Sequence, residues 1–172
     1  YGELIRNRSF KESSPQPRFW HLVQENGGVG SMSLDSSQPL NHAMSASLKL
    51  ELTSASEQQP VGVANEGFWG MAVRPKTRYR GTIHAKADSS FSGPLTVALV
   101  GTNGTPVYAS AQIKGLTDKW QKYEVTLKTG KVPETKDARL RITGAHAGTV
   151  WLGFVSLFPP TYNNRPNGNR PD

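Results

Sequence analysis

Residues able to do chemistry are few and scattered in this chain. It holds thirteen acids, and glycosidic hydrolysis needs two carboxyl groups facing each other across a cleft, one with a raised pKa. Glu51, Glu57, Asp118, Glu124, Glu134 and Asp137 fall instead in expected turns or on the wet face of strands. Glu3 lies in the opening segment and Glu66 in an aromatic-rich one, and no hydrolytic pair is expected. His21, His42, His84 and His146 lack the spacing of metal ligands, so no metal site is expected. With no cysteine, thiol catalysis, thiolate zinc and disulfide stapling are excluded. Neither a Gly-x-Ser-x-Gly elbow nor a phosphate-binding glycine loop is present. No catalytic residue and no cofactor are assigned.

Binding chemistry is better represented. Saccharides stack the apolar faces of their rings on aromatic side chains, while nearby amides and charged groups bond the hydroxyls. Val61–Met71 is the most unusual stretch. Phe68 and Trp69 are adjacent, so in a strand they point to opposite faces, and Gly67 and Gly70 let a ligand or another backbone approach closely. Asn65 and Glu66 stand ready as polar contacts. The competing reading of this stretch is a bulged strand against a neighbouring domain. Trp20, early in the first strand, is a further candidate. Trp120 and Trp151 read as buried in the core or at a domain contact. Asn7-Arg-Ser9 and Asn103-Gly-Thr105 match the glycosylation sequon, but Asn103-Gly104 reads better as a hairpin turn.

The elements that must position these residues are strands. Leu48, Leu50 and Leu52 alternate with Lys49, Glu51 and Thr53. The same period of two runs through Tyr79–Ala87, Tyr123–Leu127 and Leu140–Ile142, and marks half-buried strands. Leu95–Val100 and Val150–Phe158 are apolar on both faces, which suits central strands or a strand whose outer face meets another domain. Seventeen glycines and twelve prolines punctuate these runs. Nine or ten strands at this spacing predict an all-β fold, a two-sheet jelly-roll sandwich. Residues 1–9 read as the last turns of a helix, and Lys11–Arg18 as a linker.

The net charge of +7 fits a basic surface or an attraction to polyanions such as acidic polysaccharides. The basic residues form no stripe, and nucleic acid is not an expected partner. The longest apolar run is far too short to span a membrane.

The ends and three internal pieces resemble the family 51 glycoside hydrolases, the α-L-arabinofuranosidases. Tyr1-Gly-Glu-Leu-Ile-Arg-Asn-Arg-Ser-Phe10 resembles the first helix of their catalytic barrel. Gly62-Val-Ala-Asn-Glu-Gly-Phe-Trp-Gly70, Lys119-Trp-Gln-Lys-Tyr-Glu124 and Val150-Trp-Leu-Gly-Phe-Val-Ser-Leu-Phe-Pro159 resemble the galactose-binding-like, carbohydrate-binding-module-like sandwich (family 4/9 type) carried there. Pro160–Asp172 resembles the return into the barrel. The resemblance implies three parts: residues 1–12 as a barrel edge, 13–160 as the sandwich, and 161–172 as the return linker. It places the catalytic glutamates of the family beyond residue 172. It further implies an extracellular or periplasmic protein whose partners are the catalytic barrel of the same parent and arabinose-containing polysaccharide, arabinan or arabinoxylan. The sandwich then binds carbohydrate weakly or braces the barrel; a polyanion-binding module and an autonomous hydrolase are the alternatives. Related sandwiches hold a structural calcium where this chain has Lys11 and Gly153, so calcium is not expected. The insertion reading further predicts that the two ends emerge close together and that the opening helix is poorly anchored.

Overall fold

In the computed structural model, which describes residues 2–10, 17–41, 44, 46–68 and 70–160, eleven strands build two antiparallel sheets. They are β1 (Trp20–Gln24), β2 (Val29–Asp35), β3 (Ser47–Ser54), β4 (Val61–Asn65), β5 (Met71–Val73), β6 (Arg78–Ala87), β7 (Leu95–Val100), β8 (Val107–Ile113), β9 (Gln121–Lys128), β10 (Thr135–Gly144) and β11 (Gly148–Phe158). One sheet runs β1-β4-β10-β7-β8, with β5 added on β10; the other runs β2-β3-β11-β6-β9. The expected two-sheet sandwich is therefore the fold. Leu48, Leu50, Leu52, Ile83, Ala85 and Leu127 face inward from one sheet, and Val61, Val63, Leu95, Leu99, Leu140 and Ile142 from the other.

The two doubly apolar runs are both central strands. β7 lies between β10 and β8, and β11 between β3 and β6. In β11 a second cause operates. Its pairing with β6 shifts register between Leu152 and Phe154, so Gly153 is an extra residue. Val150 and Leu152 point inward before the bulge, and Val155 and Leu157 after it, all fully buried. A bulge changes the phase of alternation, so a run that reads apolar on both sides has one core face throughout. No second domain is needed to explain it.

The opening segment is not a helix. Residues 2–5 have no regular secondary structure and residues 6–10 form bends and turns. β3 covers β11 only from Gly148 to Leu152. Beyond that point the opening segment takes its place: Leu4 N–H donates to Leu157 O at 2.8 Å, and Val155 N–H donates to Arg8 O at 2.9 Å. The helical reading rested on the adjacent Leu4 and Ile5, but both are buried in the sandwich core. Burial against β11 overrides the weak local helix propensity of so short a piece. The segment is also well anchored, contrary to expectation. The first and last described segments meet at this place, through the bond between Leu4 and Leu157.

Glu3 closes this edge. Its side chain is buried, and Oε1 accepts from Leu157 N–H at 2.8 Å and from Ile5 N–H at 3.0 Å. Oε2 pairs with Arg8 at 3.2 Å. The carboxylate therefore does for two backbone donors what a strand would do, and one of them lies on the core strand β11.

Across the outer face of the β2-β3-β11-β6-β9 sheet, His84 on β6 lies edge-on to Phe154, with ring centroids 5.7 Å apart. Its cross-strand partner on β9 is Lys122. Burial, with the nearby Lys122 charge adding to it, holds the His84 pKa below the ordinary imidazole value. Asp35 and Asp88 are held below the usual carboxylate range. For Asp35 the main cause is the Ser37 hydroxyl, reinforced by Trp151; for Asp88, burial pushes upward but is outweighed by bonds from Ser90 and Thr149.

Glu3→Ala orphans two backbone N–H groups and should cost about 2–4 kcal/mol, read as a lower urea midpoint. Glu3→Gln keeps an acceptor and should cost roughly half as much; equal stability of Glu3→Ala and the parent chain would refute the edge-closing role. For His84, the unfolded chain takes up a proton near pH 6.5 whereas the folded chain takes it up at lower pH. The unfolded state then binds more protons as pH falls through this window, so stability declines from about pH 7 downward. Asp35 and Asp88 contribute stability that is present above the unfolded carboxylate pKa and lost as pH falls through their lower folded values. Urea midpoints between pH 7 and 5 should fall in the parent chain and be flatter in His84→Asn.

Candidate functional site

β4 ends at Asn65, and the chain then turns into β5 at Met71. Gly70 N–H closes the turn on Glu66 O at 2.8 Å. Gly67 and Gly70 have positive φ, and a Cβ on them would lie 2.5 Å from Leu4 O and 2.3 Å from Lys136 O. Of the two uses expected for these glycines, the structure shows close approach of backbone: the opening segment on one side and β10 on the other.

The structure separates the candidate residues. Asn65 is fully buried. Its Oδ1 accepts from Gly67 N–H at 2.8 Å and Arg6 N–H at 3.3 Å, and its Nδ2 donates to Arg6 O at 2.8 Å. It ties the turn to the opening segment and has no surface for a sugar hydroxyl. Trp20 is likewise buried, tilted against Phe10 at 5.3 Å, with Nε1–H donating to Asn7 O at 3.0 Å. Both are corrected from ligand contacts to core residues, because each satisfies its polar atoms within the protein. Asn7 of the first sequon is buried too, and its Nδ2 donates to Arg18 O. The second sequon residue, Asn103, is exposed in the hairpin between β7 and β8, which Gly104 N–H closes on Gly101 O.

Phe68 and Glu66 do reach the surface. Phe68 is 47% exposed, and the Arg6 guanidinium lies 5.5 Å from its ring centroid and 3.7 Å from that of Phe19. Glu66 pairs with Arg139 on β10 at 3.4 Å. Trp69 lies outside the described residues, as do His42 and Lys11. Among the described residues, no group of three or more acids and histidines is placed to hold a metal ion.

A second aromatic group lies on the outer face of the β2-β3-β11-β6-β9 sheet. Trp151 and Trp120, read from sequence as core or contact residues, are both partly buried there. Trp120 lies over the bulge: a Cβ on Gly153 would come within 3.1 Å of its ring. Lys86 Nζ sits between the two indoles, 4.9 Å from the Trp151 ring and 5.6 Å from the Trp120 ring, and also bonds Gln38. Trp151 Nε1–H donates to Asp35 Oδ2 at 3.0 Å. Two indoles, an ammonium, a carboxylate and an amide within one patch supply stacking faces, donors and acceptors, the requirements of saccharide recognition. Their convergence was not legible in sequence, because the bulge at Gly153 decides which β11 residues share the face of Lys86.

Comparison with known proteins places this architecture. No family model matches the chain. It is 33% identical over 176 aligned residues to a probable α-L-arabinofuranosidase A of Aspergillus flavus and 34% identical to that of Aspergillus terreus, in each case over 99% of this chain and 27% of the relative. The chain thus spans about a quarter of the length of the curated relatives it matches. Among solved structures it resembles the arabinose-bound MgGH51 α-L-arabinofuranosidase, with a TM-score of 0.83 and 31% identity, covering 99% of this chain and 28% of the other. Matched over nearly its whole length to one part of these proteins, the chain is a β-sandwich domain of the family 51 glycoside hydrolase type.

Proposed function

We propose that this sandwich is the non-catalytic accessory domain of a secreted α-L-arabinofuranosidase acting on arabinose-containing plant polysaccharides. The observation that carries the reading is the near-complete match of this chain to about a quarter of such enzymes. The acids support it. Glu3 is a buried structural carboxylate, and Glu25, Glu51, Glu66 and Glu124 are each held in ion pairs.

The domain contacts polysaccharide weakly through the patch of Trp120, Lys86 and Trp151. The bracing contact with the catalytic barrel lies elsewhere, at Phe68 beside the opening segment. Phe68 is a large exposed apolar side chain, and it sits at the edge where the chain enters and leaves the sandwich. The doubly apolar pattern of β11 is satisfied inside this fold by its bulge, which supports placing the bracing contact elsewhere. An extracellular or periplasmic setting follows from the polysaccharide substrate.

Titration of arabinan and arabinoxylan against the chain should give weak, saturable binding, lowered about fivefold or more by Trp151→Ala combined with Trp120→Ala, in keeping with the loss of two stacking rings. A synthetic arabinofuranoside should not be hydrolysed by this chain. Hydrolysis would overturn the accessory reading, and binding unchanged in the double variant would remove the patch from it.

A further inference from the structure

The opposite face of the sandwich carries a cleft of about 280 Å³ between β1, β10 and the loop joining β7 to β8. Its centre is Arg141. The β10 residue is flanked across the sheet by Ala64 on β4 and Ala98 on β7, whose small side chains leave room for its long one. The side chain is 12% exposed. Nη2 lies 2.9 Å from Glu25 Oε1, close enough for an ion pair but not aligned as a hydrogen bond, and Nε has no partner among the described residues. Buried donors without partners are costly, and a guanidinium is shaped to receive two carboxylate oxygens at once.

The loop is fitted to this group. Gly104 has φ +86, and a Cβ there would lie 2.6 Å from Arg141 Nη1 and 2.8 Å from Glu25 Oε1. The positive φ favours glycine here, and a side chain would push aside the tips of Arg141 and Glu25. Arg139, two residues before Arg141 and on the same face of β10, adds a second guanidinium, one-third exposed and loosely paired with Glu66. His21 and Asn103 complete the polar rim, over an apolar floor that includes Ala64. Each guanidinium already faces one carboxylate, Arg141 that of Glu25 and Arg139 that of Glu66, so the preference for an anion rests on the unpartnered Nε and Nη2 donors of the buried Arg141 and not on net charge. A carboxylate offers those donors two oxygens while carrying only one charge towards Glu25, whereas a dianion such as phosphate meets the Glu25 charge more strongly.

We propose that this cleft binds a hexuronate, a sugar ring bearing one carboxylate, as found along acidic plant polysaccharides. Its carboxylate pairs with Arg139 and Arg141, and its hydroxyls with His21 and Asn103. The identification of the ligand as a sugar rests on the proposed accessory function; the preference for a carboxylate rests on the cleft alone. The site is separate from the Trp120–Trp151 patch, which lies on the other sheet.

The test is calorimetric titration of the full chain with trigalacturonate and with a glucuronate-bearing xylo-oligosaccharide, against xylotriose, galactotriose and inorganic phosphate. At least one uronate should bind about tenfold more tightly than its neutral counterpart and weaken as salt is raised. The two uronates distinguish pectic from xylan sources. Arg139→Gln, at a partly exposed position, should weaken uronate binding about threefold to tenfold, and Asn103→Asp should weaken it further by adding a negative charge to the rim. Thermal melts of both variants should match the parent chain. Uronate and neutral sugars binding alike, phosphate binding as tightly as uronate, or uronate affinity untouched in both variants would each overturn the proposal. Neutral arabinan binding through the tryptophan patch should persist in these variants, so failure of the uronate site is distinguishable from failure of the accessory reading.

Discussion

β11 is the longest strand of the sandwich and lies at the centre of its sheet, yet β3 partners only its first half. Buried backbone donors left without acceptors are costly, so the second half must be covered by something. Residues 2–10 do this with two backbone bonds and the Glu3 carboxylate. The same segment then reaches the other sheet through Asn65, which holds Arg6 at both its N–H and its carbonyl. One irregular segment therefore closes an open sheet edge and links both layers at a corner of the sandwich. The positions of Phe68 and Glu66, Phe10 and Trp20 all follow from where it runs.

The bulge at Gly153 is the second constraint, and it acts on the outer face. Without it, Val155 and Leu157 would turn outward and Phe154 inward. With it, the core stays apolar and Trp151 and Phe154 share the outer surface with Lys86 and His84. Trp120 lies close over residue 153, where a side chain would make a tight contact with its ring. A glycine that breaks the alternation thus both preserves the core and makes room for an indole.

These two features mark the limit of what was legible in sequence. Alternation in Leu48–Leu52, Tyr79–Ala87 and Leu140–Ile142 reports directly which face is buried, and it yielded the sandwich. β2, β5 and β8 carry weaker signals: β5 has three residues, and Gly30 and Ser31 blur the pattern of β2. The opening segment defeated local reading because its structure is set by partners about 150 residues away, such as Leu157 for Glu3. Leu4 and Ile5 looked like one stripe of a helix, but each fills the sandwich core. Asn65 and Trp20 suggest ligand contacts by residue type, yet both are buried. Their polar atoms point to non-local backbone partners inside the protein, which residue type cannot announce. Arg139 and Arg141 were read as the wet face of a strand; only the packing of Gly104 and Glu25 around Arg141 shows that part of that face is enclosed.

The arrangement also bears on how such a module works within a larger protein. The first and last described segments meet at the corner near Leu4, Leu157 and Phe68. On the proposed reading the attachment lies at that corner, and both broad outer faces stay clear of it. On one, two tryptophans enclose an ammonium; on the other, two guanidinium groups border a cleft with an apolar floor. Stacking favours the neutral rings of a polysaccharide, and the guanidinium pair favours its acidic ones. Two faces with different chemistry on one rigid sandwich can engage separate stretches of a heterogeneous polymer. Each weak contact raises the local concentration of the other whenever the polymer spans both. On the proposed reading, the sandwich serves the attached enzyme by holding substrate near it, and the closure of the β11 edge by Glu3 keeps that geometry fixed.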